Sequence, residues 1–220
     1  MDRNGNDIGA FDPEAHWQTA YQTRDATTVS WFQPVPVQSL ELIRATGVAE
    51  TSPIIDVGGG ASTLVDHLLA AGYSDLTVLD IAPAALERAR NRLGALADRV
   101  AWIAADVTRF VPARRYVLWH DRAFFHFLTD PEDRDRYLRV LRAGLAEGGH
   151  LILATFGPEG PTRCSGLDVH RYSAAELSQV LGTGFRLERS SLDEHLTPAG
   201  GCQQFLYGWW RHLPETTAAG

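Results

Sequence analysis

The sequence predicts an α/β fold: a doubly wound, mostly parallel sheet with helices on both faces, closed by an antiparallel hairpin. Three observations predict it. Short apolar runs alternate with helix-length segments, and that alternation builds a parallel sheet. The run Ile54-Ile55-Asp56-Val57 empties into Gly58-Gly59-Gly60-Ala61-Ser62, a tight turn opening onto a helical segment. The last two strand-like stretches are joined only by Thr197-Pro198-Ala199-Gly200-Gly201. So short a connection makes them antiparallel, since parallel neighbours need a long crossover.

The elements follow in order. Residues 1–36 form an N-terminal helical and aromatic cap, loose over 1–12 and helical over 13–23, with Pro13 just inside the helix start. The main domain spans 37–213. Its first helix, 37–46, stops at Gly47. Strand 53–57, helix 62–71, strand 76–80 and helix 83–93 come next. Strands 100–104 and 115–121, helix 131–146 and strand 149–156 follow. Helix 173–181 precedes the closing strands, 184–194 and 202–210. Residues 214–220 read as a flexible tail.

Composition bounds the function. The chain has 220 residues, 45% of them hydrophobic, enough for one good core and one domain. A net charge of −7 argues against a nucleic-acid partner, which calls for a basic face. The only cysteines are Cys164 and Cys202, so no disulfide framework is implied and a reducing compartment fits. The start of the chain is polar and no apolar run approaches membrane-spanning length. The expectation is a soluble, cytoplasmic protein.

The glycine turn is where a ligand touches backbone, because glycine removes the side chains that would hold it away. Asp80 ends the second strand, the place where α/β folds grip ribose hydroxyls. Together they indicate a nucleoside cofactor. The dinucleotide pattern Gly-x-Gly-x-x-Gly matches at Gly58 and Gly60 but has Thr63 in its third position. No Gly-Lys-Ser/Thr follows, which disfavours a nucleoside triphosphate.

Three segments carry a resemblance: Asp56-Val57-Gly58-Gly59-Gly60-Ala61-Ser62, Asp80-Ile81 and Ala105-Asp106-Val107. In this order and spacing they resemble the class I S-adenosylmethionine-dependent methyltransferases over roughly residues 37–210. Ser62 departs from the final glycine of the family's first motif. The resemblance implies a seven-stranded sheet with an antiparallel last strand, S-adenosylmethionine as cofactor and S-adenosylhomocysteine as product. It places Gly58, Gly59 and Gly60 along the methionine part, and Asp56 at its amino group. Asp80 would take the ribose hydroxyls, Ile81 would lie against the adenine, and Asp106 would accept from the adenine amino group, with Val107 beside it also in the cofactor-binding set. Trp31 joins them from the cap. Asp106 also reads as the cap of a turn.

The fourth strand ends in Trp119-His120-Asp121-Arg122-Ala123-Phe124-Phe125-His126-Phe127-Leu128. Its Asp-Arg-Ala-x-x-x-x-Leu portion is similar to the thiopurine and small-thiol methyltransferases, while Val117 stands where many family members carry an acid. His120 or Asp121 is the candidate base for a hydroxyl or amine acceptor. Arg122 would favour a thiolate. Asp121 and Arg122 equally read as an ion pair pinning the loop, and His126 as a packed side chain. His16, Trp17, Tyr21, Trp31 and Phe32 precede the core and resemble a region of small methyltransferases, some of them acting on protein lysines. They would form a lid whose faces suit a sulfonium, or they staple the helix to the sheet. The loop 157–166 sits at the same rim, where substrates are chosen. Cys164, His170, His195 and Cys202 lack metal-ligand spacing, so no metal is expected.

The resulting expectation is transfer of a methyl group to a small molecule, with sulfur or nitrogen preferred over oxygen. A protein lysine methyltransferase and a non-catalytic cofactor-binding module are the alternatives. Nucleic-acid amino groups are disfavoured, because Asn/Asp-Pro-Pro-aromatic is missing after the fourth strand.

Overall fold

The computed structural model describes residues 11–214, so the ends expected to be loose fall almost wholly outside it. Two helices lead in, α1 (Pro13–Thr23) and α2 (Val37–Thr46), followed by β1 (Ile54–Val57), α3 (Leu64–Ala70), β2 (Leu76–Asp80) and α4 (Pro83–Leu93). Then come β3 (Val100–Ala104), β4 (Tyr116–Arg122), α5 (Pro131–Gly144) and β5 (Leu145–Phe156). A small ribbon of β6 (Arg163–Cys164) and β7 (Leu167–Asp168) precedes α6 (Ala174–Leu181), β8 (Phe185–Leu196) and β9 (Cys202–His212).

Seven strands make one sheet in the order β3-β2-β1-β4-β5-β9-β8. The neighbours from β3 to β5 are parallel, and β9 runs antiparallel to both β5 and β8. The chain goes outward from β1 to β3, then crosses back to β4 on the other side of β1. That reversal opens a crevice beyond the carboxyl ends of β1 and β4.

Strand alternation divides the core. Ile55, Trp119, Leu151 and Leu153 pack against α5 and α6 through Tyr137, Leu141, Leu177 and Leu181. Ile54, Leu118 and Ile152 face the other way, onto α2 and α3 through Leu40, Ile43, Leu64 and Leu68. All four residues of β1 and all five of β2 are buried, which is why both read as continuous apolar runs. Short-range chemistry sets the helix starts. Asp12 and Asp130 accept N–H groups of the first turns of α1 and α5, and Ser173 and Glu176 form a reciprocal capping box on α6.

Two departures from the sequence reading have physical causes. Helix α5 ends at Gly144 instead of 146, and β5 begins directly after it. Gly144 packs against Trp119 so closely that a Cβ there would come within 2.8 Å of the indole. The loop after β5, expected to be irregular, folds back on itself as the β6–β7 ribbon, with Ser165 in the left-handed region and Gly166 at the bend.

Leu141 is fully buried between α5 and the sheet, so Leu141→Ala is expected to lower unfolding free energy by about 3 kcal/mol. Urea denaturation measures it, and a loss below about 1 kcal/mol would mean that α5 is not packed as described.

Candidate active site

The turn after β1 is fastened to β2. Gly58 and Gly59 both donate their N–H groups to the carbonyl of Leu79, at 2.8 and 3.3 Å. Side chains forbid anything larger here. A Cβ on Gly59 would lie 2.5 Å from Asp56 Oδ2, and one on Gly60 would lie 2.5 Å from Asp80 Oδ2. Gly58 has φ +66°, and a Cβ on it would meet Phe124 at 2.8 Å.

The crevice has two chambers above this turn. The first, about 620 Å³, is mostly apolar and is lined by Trp17, Leu79, Ile81, Val107, Phe124 and Phe127, together with Asp80 and Asp106. The second, about 560 Å³, is more polar and holds Ser39, Asp56, His120 and Gln33. Tyr21, Trp31, Gly58 and Arg122 border both, so the two chambers meet at those residues.

Asp80 is buried at the tip of β2, with Oδ1 accepting the N–H of Ala82 at 2.8 Å. Burial, reinforced by the neighbouring Asp56, pushes its carboxyl up to about 7. Asp106 caps a turn, one of the two readings made from the sequence. Its Oδ1 accepts the N–H and hydroxyl of Thr108, capping a short 3-10 turn, while the side chain borders the apolar chamber.

The end of β4 distributes its three polar residues in different directions. His120 points toward α2, with Nδ1 at 2.7 Å from Asp56 Oδ1 and Nε2 at 2.9 Å from Ser39 Oγ. Asp121 points to the opposite face, where it accepts the Tyr137 hydroxyl at 2.8 Å and the N–H of Phe125 at 3.2 Å. Burial pushes the Asp121 carboxyl up to about 7, against the pull of Tyr137. Both candidate bases are corrected by this geometry. His120 has both ring nitrogens engaged inside the fold, and fully buried Asp121 anchors the loop after β4. Nor do Asp121 and Arg122 form an ion pair, because alternation sends them to opposite faces of the sheet.

Arg122 alone of the three reaches the junction of the chambers. It donates from Nε to the Tyr207 hydroxyl and from Nη1 to the carbonyl of Trp31, and its guanidinium lies 4.6 Å from the Phe205 ring centre. Its Nη2 is buried and has no partner among the described residues. Burial, with this cation adding to it, lowers the nearby imidazole of His126 to about 3 and also lowers that of His195. His126 packs as expected, stacked on Phe156 and accepting its N–H at 3.2 Å.

The aromatic cap both lines the crevice and pins the helix. Trp17 meets Trp31 and Phe127 edge to face at 5.8 and 5.1 Å, and Tyr21 meets Trp31 at 6.4 Å. Gln18 accepts the N–H of Ala84, tying α1 to the start of α4. Burial and nearby Asp80 raise the Tyr21 phenol far above its ordinary range. Cys164, raised by burial, borders the apolar chamber, whereas Cys202 is exposed. Among the described residues no group of three or more His, Cys, Asp and Glu side chains is placed to hold a metal ion. Nor is any helix among them long and apolar enough to cross a membrane.

Sequence reasoning missed Ser39 and Gln33. Ser39 carried a faint signal, a small polar residue beside Leu40 on a helix face that is otherwise apolar; Gln33 carried none.

A family model described as a methyltransferase domain matches residues 55–151. Malonyl-[acyl-carrier protein] O-methyltransferase of Anoxybacillus flavithermus is 31% identical over 134 residues, 60% of this chain and 49% of that protein. Nodulation protein S of Bradyrhizobium diazoefficiens is 29% identical over 128 residues, 58% of this chain and 59% of that protein. The chain thus spans about half the length of the curated relatives it matches. Among solved structures, a SAM-dependent methyltransferase of Anabaena variabilis superposes with TM-score 0.73 at 16% identity, covering 92% of this chain and 96% of that one. The N-methyltransferase NodS of Bradyrhizobium japonicum, solved with S-adenosyl-L-homocysteine, gives 0.68 at 19% identity, covering 91% and 99%. At such identities the likeness is one of fold, and the fold is the one expected.

Tyr137 bridges two buried groups, donating to Asp121 and accepting the indole N–H of Trp119 at 3.0 Å. Tyr137→Phe leaves both without that partner and is expected to destabilise the protein by about 2 kcal/mol. A chemical denaturation midpoint unchanged from wild type would show that the network contributes nothing.

Proposed function

We propose that the chain is an S-adenosylmethionine-dependent methyltransferase that acts on a small-molecule nucleophile. The observation that carries this reading is Asp80, a buried carboxylate at the tip of β2 beside a turn that only glycine can occupy. A carboxylate so placed is acceptor-only and suits paired hydroxyl donors. The matched methyltransferase domain supports the same reading.

The residues present fit the cofactor. Asp80 would hold the ribose hydroxyls, Ile81 and Val107 would flank the adenine, and Asp106 would accept from its amino group. Gly58, Gly59 and Gly60 would admit the methionine part to the backbone, with Asp56 at its amino group and Trp31 closing over the junction. When bound, the cofactor supplies an electrophilic methyl group on a positively charged sulfur. The chain's own work is alignment and exclusion of water, which is worth several kcal/mol in an in-line displacement. Its aromatic faces and the carboxylates of Asp56 and Asp80 favour a cationic ligand.

The acceptor is best matched by sulfur or nitrogen. An alcohol hydroxyl scarcely ionises at neutral pH and needs a base, and His120 and Asp121 are already engaged elsewhere, whereas an amine can shed its proton to solvent before it reacts. A thiol ionises by itself to a useful extent, and Arg122 at the junction favours the thiolate. Relatives named as O- and N-methyltransferases support methyl transfer without deciding the atom. S-adenosylhomocysteine release should therefore appear with pooled thiols or amines and not with phenols or alcohols. Methylation of cell protein without small-molecule turnover would replace this reading with the lysine alternative.

Asp80→Ala removes a charged acceptor and should weaken S-adenosylhomocysteine binding by about 2 kcal/mol, measured by calorimetry. The sign of the pH dependence follows from the raised carboxyl. Hydroxyl donors bind the ionised form, so affinity climbs as pH rises through about 7 and is flat above it. Below that point it falls by up to about tenfold per pH unit. Asp121 titrates in the same range but remains in Asp80→Asn. A slope that persists in that variant would remove Asp80 from the site.

A further inference from the structure

Three buried side chains from three elements form an unbroken chain beneath the polar chamber: Ser39 in α2, His120 in β4 and Asp56 in β1. Ser39 Oγ is 2.9 Å from His120 Nε2, and Nδ1 of the same ring is 2.7 Å from Asp56 Oδ1. Their exposures are 0, 2 and 5%. A carboxylate only accepts, so Nδ1 carries the hydrogen and donates to Asp56, while Nε2 and the serine hydroxyl share the second hydrogen bond. Asp56 and His120 are register partners in the β1–β4 pairing, which sets the imidazole directly beside the carboxylate.

We infer that Ser39 and His120 are positioning residues that pin one oxygen of Asp56 so that the other, Oδ2, faces the amino group of the cofactor's amino-acid end. The inference rests on the cofactor reading above. Asp80 lies close enough to repel this carboxylate, so an unpinned Asp56 would swing away from the ligand. Pinning through Oδ1 leaves Oδ2 over the α-carbon of Gly59. Two further groups point to the same ligand. Gln33 Oε1 and Arg122 Nη2 are buried without partners among the described residues, and both residues border the polar chamber. An ammonium needs several acceptors and a carboxylate needs donors; Asp56 and Gln33 border the chamber as acceptor residues and Arg122 as a donor residue. Two engaged ring nitrogens hold His120 in this role and out of proton transfer to an acceptor.

The test compares S-adenosylhomocysteine with 5′-methylthioadenosine, which shares the adenosine and lacks the amino-acid end. Calorimetry on His120→Leu should show S-adenosylhomocysteine weakened about tenfold and methylthioadenosine changed less than about twofold. His120→Asn, whose side-chain amide can replace the Nδ1–H donor, should recover most of the loss. Equal weakening of both ligands, or no recovery in His120→Asn, overturns the inference while the cofactor reading stands. Wild-type protein that binds neither ligand overturns the cofactor reading itself. If His120→Leu does not fold, the same ratio decides in Ser39→Ala against Ser39→Thr. Ala should lower it about threefold and Thr should keep it; a ratio unchanged in Ser39→Ala overturns the inference.

Discussion

The site depends on two carboxylates buried side by side at the tips of adjacent parallel strands. Asp56 is the penultimate residue of β1, and the register partner of the next residue, Val57, is Leu79, which directly precedes Asp80. Each acid excludes a side chain from the turn between them. Oδ2 of Asp56 occupies the space of a Cβ on Gly59, and Oδ2 of Asp80 that of a Cβ on Gly60. The glycines and the acids are one fitted unit. Like charges this close are costly in a dry environment, and the protein meets the cost unequally. Asp56 has an imidazole, while Asp80 has only backbone donors and its acid strength is reduced. That asymmetry makes Asp80 the acid that gains most from an incoming donor.

The sheet reversal gives these acids somewhere to act. Strands β1 and β4 diverge in their connections, and the aromatic cap crosses the gap. Arg122 binds the carbonyl of Trp31, and His195 contacts that of Ser30 at 2.7 Å. The cap is therefore held from both sides of the crevice, by the end of β4 and by the closing hairpin. Left-handed Ala123 turns the chain sharply after Arg122, and its N–H donates to Ala154 in β5. The guanidinium is thereby fixed where the chambers meet.

Much of this was legible in the sequence because it is local. Helices 13–23 and 83–93 and strands 76–80 and 100–104 coincide with their expected bounds, since proline, glycine and apolar runs mark their ends. The glycine turn and Asp80 were readable for the same reason. What could not be read was direction. His120, Asp121 and Arg122 are consecutive, and consecutive residues look convergent on paper. In a strand they alternate, so Asp121 went to Tyr137 on the far face. His120, on the near face, met a serine from α2 that is 81 positions away. Partners so distant in sequence leave no pattern in a single chain. The β6–β7 ribbon was missed because two-residue strands carry too few side chains to show alternation.

The place of β9 in the sheet has a consequence for how the molecule is made. Strand β8 emerges from the ribosome earlier, yet its sole sheet neighbour is β9, which also supplies the second neighbour of β5. A nascent chain extended only to Leu196 therefore exposes β5 as a raw edge, with the apolar Leu151–Phe156 stretch unpaired on that side. The gap closes only when β9 takes its place beside β5, with β8 paired to its outer side. Until then the unpaired side of β5 is a template on which another chain could add a strand.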